Sequence, residues 1–184
     1  VSAARGTDGW GALSASNGNL IKASAEINEQ LFPHILRGRN YRIDSGGAGK
    51  WRGGCGSEFI KEVRTPTLVN QYVVNQRHTH PGIAGGLNGA PDHCVVGTEE
   101  VNPAVSGVRL ETGENLVYKF GGGGGWGDPL DRDPQAVLDD VWDEYVSIEG
   151  ALRDYAVVVT GSLEDMTLAL DHEATELERK KRAS

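Results

Sequence analysis

Five consecutive glycines, residues 121–125, constrain this chain more than any other feature of its sequence. Glycine has no Cβ and lets one backbone approach another closely, but it loses more conformational freedom on folding than any other residue. A folded protein therefore needs a structural reason to keep such a run. The segment that follows ends with a good N-cap, Asp133, and places Pro134 at the first helical position. We therefore predict a strand that ends near Phe120, then a glycine loop, then a helix.

This loop is a poor candidate for a phosphate site. A helix N-terminus behind a glycine loop can bind an anion through its free amides. Here Asp128, Asp131 and Asp133 crowd that end of the helix, and their charge would repel an anion. Close packing of the loop against another chain, or a hinge, is the preferred interpretation. The candidate interface residues in this loop are Gly123, Gly124, Trp126 and Asp128.

Length and charge narrow the class of protein. With 184 residues the chain can bury a core as one domain or two small ones. Its net charge of −8 argues against a nucleic-acid binder, which normally shows a basic face. No apolar stretch approaches the roughly 20 residues that cross a bilayer. Cys55 and Cys94 lack a Cys-x-x-Cys context, so we expect a cytoplasmic protein with reduced, inert thiols and no membrane contact.

Short apolar stretches separated by glycine turns predict strands from residue 41 onward. The predicted strands cover residues 41–43, 58–64, 68–76, 93–96, 108–110 and 116–120. Such spacing is typical of an antiparallel β sandwich or barrel. After the glycine loop, apolar residues recur at three- and four-residue steps from Val137 to Tyr145, which predicts a helix with a buried face. A second helix capped by Ser147, a hairpin and a last helix capped by Asp171 complete the tail.

The predicted fold class is therefore α+β. Residues 1–40 form a loop and a short helix capped by Ser24, and residues 41–130 form a glycine-rich β body, an antiparallel sandwich or barrel. Residues 131–184 form a C-terminal helical and α/β tail. The three parts are expected to pack as one compact unit.

A second glycine-rich stretch, residues 44–56, has two interpretations. Its backbone amides, with the cations Lys50 and Arg52 nearby, are compatible with an anion cradle. It lacks the Gly-Lys-Ser/Thr pattern of a nucleotide-binding loop. A structural turn between strands is the preferred interpretation, since glycine often marks turns in β proteins. The residues singled out here are Asp44, Gly46, Gly47, Lys50 and Arg52.

Three histidines offer a weak case for a metal. His78 and His80 would share a face if the preceding strand continued that far, and His93 could approach from the next strand. The His-x-His spacing alone is not specific, and Pro81 follows at once. A pair of hydrogen-bonded or interface histidines is the preferred interpretation, so no metal is assigned to this chain.

Several segments, in order, resemble the hydantoinase B/oxoprolinase family. Residues 44–54 (DSGGAGKWRGG) match a DSGGAG-x-x-RGG segment of that family, residues 85–91 (GGLNGAP) its GG-x-x-GAP turn, and residues 122–134 its closing glycine loop. Residues 6–10 and 145–155 are also similar to family segments. One departure concerns the turn after Arg77, a further interface candidate: family members often carry a double proline before the glycine that matches Gly82, whereas this chain has His-Thr-His-Pro.

The resemblance implies that this chain corresponds to the C-terminal third of a longer enzyme, as a separate subunit or a fragment. It implies a hetero-oligomer with a hydantoinase A-like, ATP-binding subunit and with the N-terminal hydantoinase B portion. ATP and a divalent metal are implied for the complete complex, and no cofactor is assigned to this chain itself.

Three functions follow from the resemblance as expectations. The first is ATP-dependent opening of a cyclic amide such as a hydantoin, 5-oxoproline or a lactam. The second is ATP-dependent carboxylation of a ketone such as acetone or acetophenone. The third is a non-catalytic role in assembly, in which the glycine loops let large subunits pack closely. A free-standing metal-binding β domain, which would use the three histidines, is an alternative from the residues alone.

Overall fold

The computed structural model describes residues 1–11, 24–71, 77–97, 99–101 and 105–183. The helices are α1 (Ala25–Leu31), α2 (Pro134–Trp142), α3 (Ile148–Tyr155) and α4 (His172–Ala183). The strands are β1 (His34–Tyr41), β2 (Ser57–Val63), β3 (Thr67–Gln71), β4 (His93–Val96), β5 (Glu99–Val101), β6 (Val105–Leu110), β7 (Asn115–Lys119), β8 (Val159–Thr160) and β9 (Ala169–Leu170). A short 3-10 helix, Pro129–Asp131, precedes α2.

Antiparallel pairing organises the strands. A five-stranded sheet has the order β1-β2-β7-β4-β5, and two-stranded sheets pair β3 with β6 and β8 with β9. The predicted α+β class with antiparallel sheets is therefore confirmed, as is the hairpin in the tail. In the described residues the strands form open sheets and no barrel closes. None of the described helices is long and apolar enough to cross a membrane.

The first strand differs from its prediction. The sequence placed a strand at residues 41–43, whereas β1 runs from His34 to Tyr41 and pairs with β2 along its length. The register shifts between Leu36 and Gly38. An extra residue of this kind breaks the two-residue alternation on which sequence-based strand prediction depends. The predicted strand 68–76 is confirmed as Thr67–Gln71, and its remainder lies outside the described residues.

Two clusters of buried side chains form the conventional core. A small one lies between the five-stranded sheet and the β3–β6 pair, and it contains Val63, Cys94, Leu110 and Leu116. The larger one lies in the tail, where Val137, Leu138 and Val141 of α2 pack with α3 and with β8. The predicted apolar face of α2 is therefore confirmed. Tyr145 lies beyond the end of α2 and stacks edge-on against Tyr41.

A third core contains almost no side chains. Five segments of the chain pack side by side, and we call this bundle the glycine core: residues 1–3, 9–10, 45–56, 81–90 and 121–127. A Cβ added at most of its glycines would lie under 3.0 Å from the main chain of a neighbouring segment. Real Cβ atoms essentially never approach other heavy atoms so closely. The close approach of backbones, rather than turn geometry, therefore requires glycine there.

In the glycine run 121–125, every third residue contacts the same neighbouring segment. Added Cβ atoms at Gly122 and Gly125 would meet Ser45 and Ala48, and those at Gly121 and Gly124 would meet Ala90 and Pro81. The Cβ at Gly123 would meet Val1. None of these five glycines has a positive φ. A three-residue repeat with hydrogen bonds to several neighbours is the pattern of polyproline II helices packed together, and not of a β ladder.

Backbone hydrogen bonds join the segments of the glycine core. The Gly47 amide donates to the Gly123 carbonyl at 2.8 Å, and the Gly123 amide donates to Gly54 at 2.9 Å. The Gly125 amide donates to Leu87 at 2.9 Å, and the Ala3 amide donates to Gly124, also at 2.9 Å. Since polyproline II has no internal hydrogen bonds, these contacts are what satisfies the buried backbone.

Candidate functional site

Four charged side chains meet where the glycine core joins the tail. We call Asp8, Arg52, Arg132 and Asp140 the buried ion cluster. Arg132 donates through both terminal nitrogens to Asp8, at 2.8 and 2.9 Å, and to Asp140 at 2.8 Å. Arg52 donates from Nε to Asp140 at 3.1 Å. Arg52, Arg132 and Asp140 are only 5–6% exposed, so the cluster joins three distant parts of the chain inside the protein.

The charges in the cluster balance. Two guanidinium groups face two carboxylates, and two backbone contacts extend the network: the Arg52 amide donates to Asp8 at 2.6 Å, and Arg52 Nη1 donates to the Gly53 carbonyl at 2.8 Å. Burial by itself would raise the pKa of Asp8, but hydrogen bonds and charge from Arg132 outweigh it and lower that pKa. A charge-balanced network with this many hydrogen bonds is suited to holding segments in place, although Arg132 Nε is buried without a hydrogen-bond partner among the described residues.

A cavity of about 350 Å³ opens beside Arg52. It is lined by Trp10, Tyr41, Arg52, Cys55 and Tyr145, with Gly9 and Gly11. The Arg52 guanidinium lies 4.6 Å from the centre of the Tyr145 ring. Burial raises the pKa of the Cys55 thiol, although Arg52 acts in the opposite direction. The expected inert thiol therefore fits its surroundings, because a nucleophilic cysteine needs a lowered pKa.

Asp44 anchors the tail to the body. Its carboxylate accepts hydrogen bonds from the Ser147 amide at 2.9 Å and from the Ser147 hydroxyl at 2.7 Å. Ser147 is the N-cap of α3, as predicted, and its hydroxyl accepts from the Gly150 amide at 2.8 Å. A Cβ at Gly150 would collide with the Asp44 carboxylate. Asp44 thus orients a helix N-terminus, a role that the sequence alone did not indicate.

The glycines singled out from the sequence lie inside the glycine core. Gly47, Gly123 and Gly124 are buried, and Gly46 is partly buried. The atoms that leave no room for a Cβ at these positions belong to Gly53, Leu87, Val1 and Pro81 of the same chain. The expectation that these glycines serve close packing against another polypeptide stays a prediction, and the close approach that the structure shows at these positions is within this chain. The close packing is internal, because several segments of one chain share the bundle.

Lys50, Trp126 and Asp128 lie at one end of the glycine core. Trp126 and Trp51 form an antiparallel bridge, and their rings meet edge to face with centres 5.1 Å apart. The Lys50 ammonium lies 5.5 Å from the Trp51 ring centre. Asp128 is exposed and accepts from the Leu130 amide at 2.9 Å, which caps the 3-10 helix. Asp133 caps α2 by accepting from the Gln135 amide, as predicted.

The three histidines do not come together. His80 Nδ1 lies 3.1 Å from the Gly122 carbonyl, whereas His93 contacts Glu100. His78 and Arg77 are exposed in a bend before residues 81–90 of the glycine core. Within the described ranges, no group of three His, Cys, Asp or Glu side chains is arranged to hold a metal ion. A hydrogen-bonded histidine thus describes His80 and His93 better than a shared ligand set.

Sequence reasoning missed the buried ion cluster. Asp140 offered one signal, because it lies three residues after Val137, on the buried side of the predicted α2 stripe. A charged residue at such a position needs a partner. Asp8 and Arg132 offered no such signal, since both lie in irregular segments whose contacts depend on the tertiary fold.

The family model for hydantoinase B/oxoprolinase matches residues 1–129. Among curated relatives, the caprolactamase subunit beta of Pseudomonas jessenii is 31% identical over 84% of this chain and 29% of its own length. The acetone carboxylase alpha subunit of Xanthobacter autotrophicus is 29% identical over 73% of this chain and 22% of its own. A 5-oxoprolinase of Arabidopsis thaliana is 33% identical over 59% of this chain and 9% of its own.

Two solved structures are similar to the whole chain. The ATP-dependent caprolactamase of Pseudomonas jessenii is 29% identical with a TM-score of 0.81, and it covers 97% of this chain and 32% of its own. Nucleotide-free acetone carboxylase is 24% identical with a TM-score of 0.83, and the match covers 96% of this chain and 28% of the acetone carboxylase chain. This similarity shows a shared fold. The chain thus spans less than a third of each of these proteins.

Proposed function

This chain belongs to the hydantoinase B/oxoprolinase family, and on that premise we propose that it forms part of an ATP-dependent enzyme that opens cyclic amides. Within that enzyme it corresponds to the C-terminal portion of the hydantoinase B polypeptide. The complete enzyme includes the N-terminal portion and a hydantoinase A-like subunit that binds ATP. The substrate class is a hydantoin, a lactam or 5-oxoproline.

The observation that carries this proposal is the similarity to caprolactamase along nearly the entire chain. The match covers 84% of the chain in sequence and 97% in structure, at 31% and 29% identity. The 5-oxoprolinase relative also acts, by its name, on a cyclic amide. Shared fold by itself would not support an activity, since one fold hosts many functions.

The part played by this chain is structural. Its buried charges are already neutralised by one another, and its thiol at Cys55 is held in the less nucleophilic form. ATP would serve to activate a poor electrophile by phosphorylation, and such an intermediate must be kept from water. A rigid glycine core is suited to walling part of that site, with Lys50 and Trp126 at its exposed end.

A ketone carboxylase is the second candidate. It is favoured by the acetone carboxylase relative, which matches 73% of this chain. Both reactions would use ATP to activate a carbonyl or bicarbonate, and the scaffold role of this chain would be the same. A purely structural assembly subunit is the third candidate, and the mutual pairing of the charges in the buried ion cluster is compatible with it.

The proposal is tested by purifying the chain together with the polypeptides encoded beside it. ATP hydrolysis is then measured with each member of a panel of cyclic amides, and with ketones in the presence and absence of bicarbonate. We expect turnover that depends on a cyclic amide, needs no bicarbonate and is lost when this chain is omitted. Turnover that requires a ketone and bicarbonate identifies the carboxylase instead. Unchanged amide-dependent turnover without this chain defeats the proposal and leaves the assembly role.

A further inference from the structure

An open groove crosses one face of the five-stranded sheet. It consists of two adjoining cavities of about 350 and 310 Å³, which share the side chains of His34 and Lys61. Aromatic and aliphatic side chains line most of it, and Phe59 and Tyr118 form its floor beside Lys61. We call it the cationic groove, because among the described residues that line the two cavities the charged ones are Arg39 and Lys61, and none is acidic.

The two cations in the groove have aromatic neighbours but no counter-ion in the part of the chain that the structure describes. The Lys61 ammonium lies 6.0 Å from the Tyr118 ring centre, and the Arg39 guanidinium lies 5.6 Å from that of Phe59. Among the ion pairs formed by described residues, neither cation takes part. Burial lowers the pKa of Lys61. A half-buried ammonium without a carboxylate is costly and is normally paired.

Two acidic side chains near the groove have partners elsewhere. The residues outside the described ranges contain no aspartate or glutamate. Glu29 of α1 accepts a hydrogen bond from the Leu36 amide at 2.8 Å. Glu62, on the same strand as Lys61, pairs with Arg37 at 2.8 Å. A carboxylate from a second segment of polypeptide would complete the groove.

Helix α1, beside the groove, has an exposed apolar face. It has seven residues and no buried one. Ile27 and Leu31 of this helix and the adjacent Phe32 are 51–70% exposed. So short a helix is not stable in water unless its apolar face packs against something. One occupant, an apolar segment that carries a carboxylate, could therefore cover both Lys61 and the exposed apolar face of α1.

We propose that the cationic groove and α1 are the docking site for the rest of the hydantoinase B polypeptide, through an apolar segment that places an aspartate or glutamate on Lys61. This rests on the proposed function. The length of the missing polypeptide supports it, because this chain spans 29% of the caprolactamase beta subunit and 32% of the solved caprolactamase chain.

The test is zero-length crosslinking of the protein purified as its source organism makes it. A water-soluble carbodiimide joins a lysine amine to a carboxylate that is in direct contact with it, and mass spectrometry identifies the joined peptides. We expect Lys61 to be joined to an aspartate or glutamate outside these 184 residues. Lys180, exposed on α4, is the control and is joined only within its own helix.

A second readout is hydrogen exchange of the α1 amides in the same protein. The variant Lys61→Glu should speed this exchange by about tenfold or more, since like charges at a contact repel. Lys61→Gln should have a smaller effect, and Lys180→Glu none. Thermal unfolding of each variant reveals any that fails to fold, and the wild-type crosslink does not depend on the variants.

The outcomes separate the two proposals. A crosslink from Lys61 to a second copy of this chain, to an acid within the same 184 residues, or to nothing, overturns the docking site. So does unchanged α1 exchange in Lys61→Glu. A purified protein of only 184 residues without any associated polypeptide defeats the proposed function as well, and its mass distinguishes that result.

Discussion

The Arg52 guanidinium donates to the Asp140 carboxylate at 3.1 Å, although 88 residues separate them in the sequence. Arg52 belongs to the glycine core and Asp140 to α2. Because both side chains are buried, this pair fixes the tail on a core that has few side chains of its own to pack. Removing this ion pair should therefore weaken the packing of the whole tail on the glycine core.

Replacing Asp140 by asparagine should destabilise the protein by about 3–5 kcal/mol, since it leaves buried guanidinium groups undercompensated. Denaturant unfolding measures the change. Asp139→Asn, at the neighbouring exposed position of α2, is the control and should cost about 0.5 kcal/mol or less. Equal losses in the two variants would contradict the role of the cluster.

Gly123→Ala should destabilise the protein by about 3 kcal/mol or more, because overpacking against rigid main chain cannot be relieved by a side-chain movement. Gly38→Ala in β1 is the matched control. Its Cβ would meet side-chain atoms and no main chain, with Ile60 Cδ1 at 3.3 Å and Asn40 Nδ2 at 3.6 Å. The change should cost less than about 1 kcal/mol. Thermal unfolding compares them, and similar melting temperatures would argue against the packed bundle.

Asp8 should make the stability sensitive to acid. Its pKa is lower in the folded protein than in the unfolded chain, so its stabilising effect is present above about pH 4 and is lost as the pH falls through the folded pKa. Melting temperatures from pH 7 to pH 3 should fall more steeply for the wild type than for Asp8→Asn. Glu164→Gln, an exposed change, should keep the wild-type slope.

Asp44 and Ser147 should behave as one unit. Each of Asp44→Ala and Ser147→Ala should cost about 1–2 kcal/mol, the range for loss of an N-cap. Because the two side chains hydrogen-bond each other at 2.7 Å, the double variant should lose less than the sum of the single losses. A double-mutant cycle from urea unfolding measures this coupling. Strictly additive losses would show that the two residues act independently.

Neither cysteine should react with a thiol reagent in the folded protein. Cys55 is 3% exposed and Cys94 is fully buried, and burial raises the pKa of Cys55. A chromogenic disulfide reagent at pH 8 should count two thiols per chain after denaturation and close to none before it. Rapid labelling of one thiol in the native state would identify Cys55 as accessible and activated.

Local features were predictable from the sequence. Ser24, Asp133 and Ser147 cap helices where the sequence placed them, because a cap depends on residues within one turn. The antiparallel α+β class was predictable for the same reason, since turns and alternation are local. The strand β1 was missed because its register shift at Leu36 hides that alternation.

The site was not predictable in the same way. The sequence indicated that the glycine runs serve close packing. It did not indicate that Gly123 would form hydrogen bonds with Gly47 and Gly54 of its own chain. The partners of Arg52 come from residue 8 and residue 140, and no local pattern encodes such distances. Contacts of this kind depend on how the segments stack, which is a property of the folded chain alone.

The three-residue repeat of the glycine run has a thermodynamic consequence. Unfolding the glycine core exposes mainly peptide groups and little apolar surface. Exposure of polar surface lowers the heat-capacity change of unfolding, whereas exposure of apolar surface raises it. The heat-capacity increment should therefore fall below the usual value of about 12–15 cal/mol/K per residue. The free energy of unfolding should then vary less with temperature. The protein should therefore stay folded over a wide temperature range even if its maximal free energy of unfolding is modest.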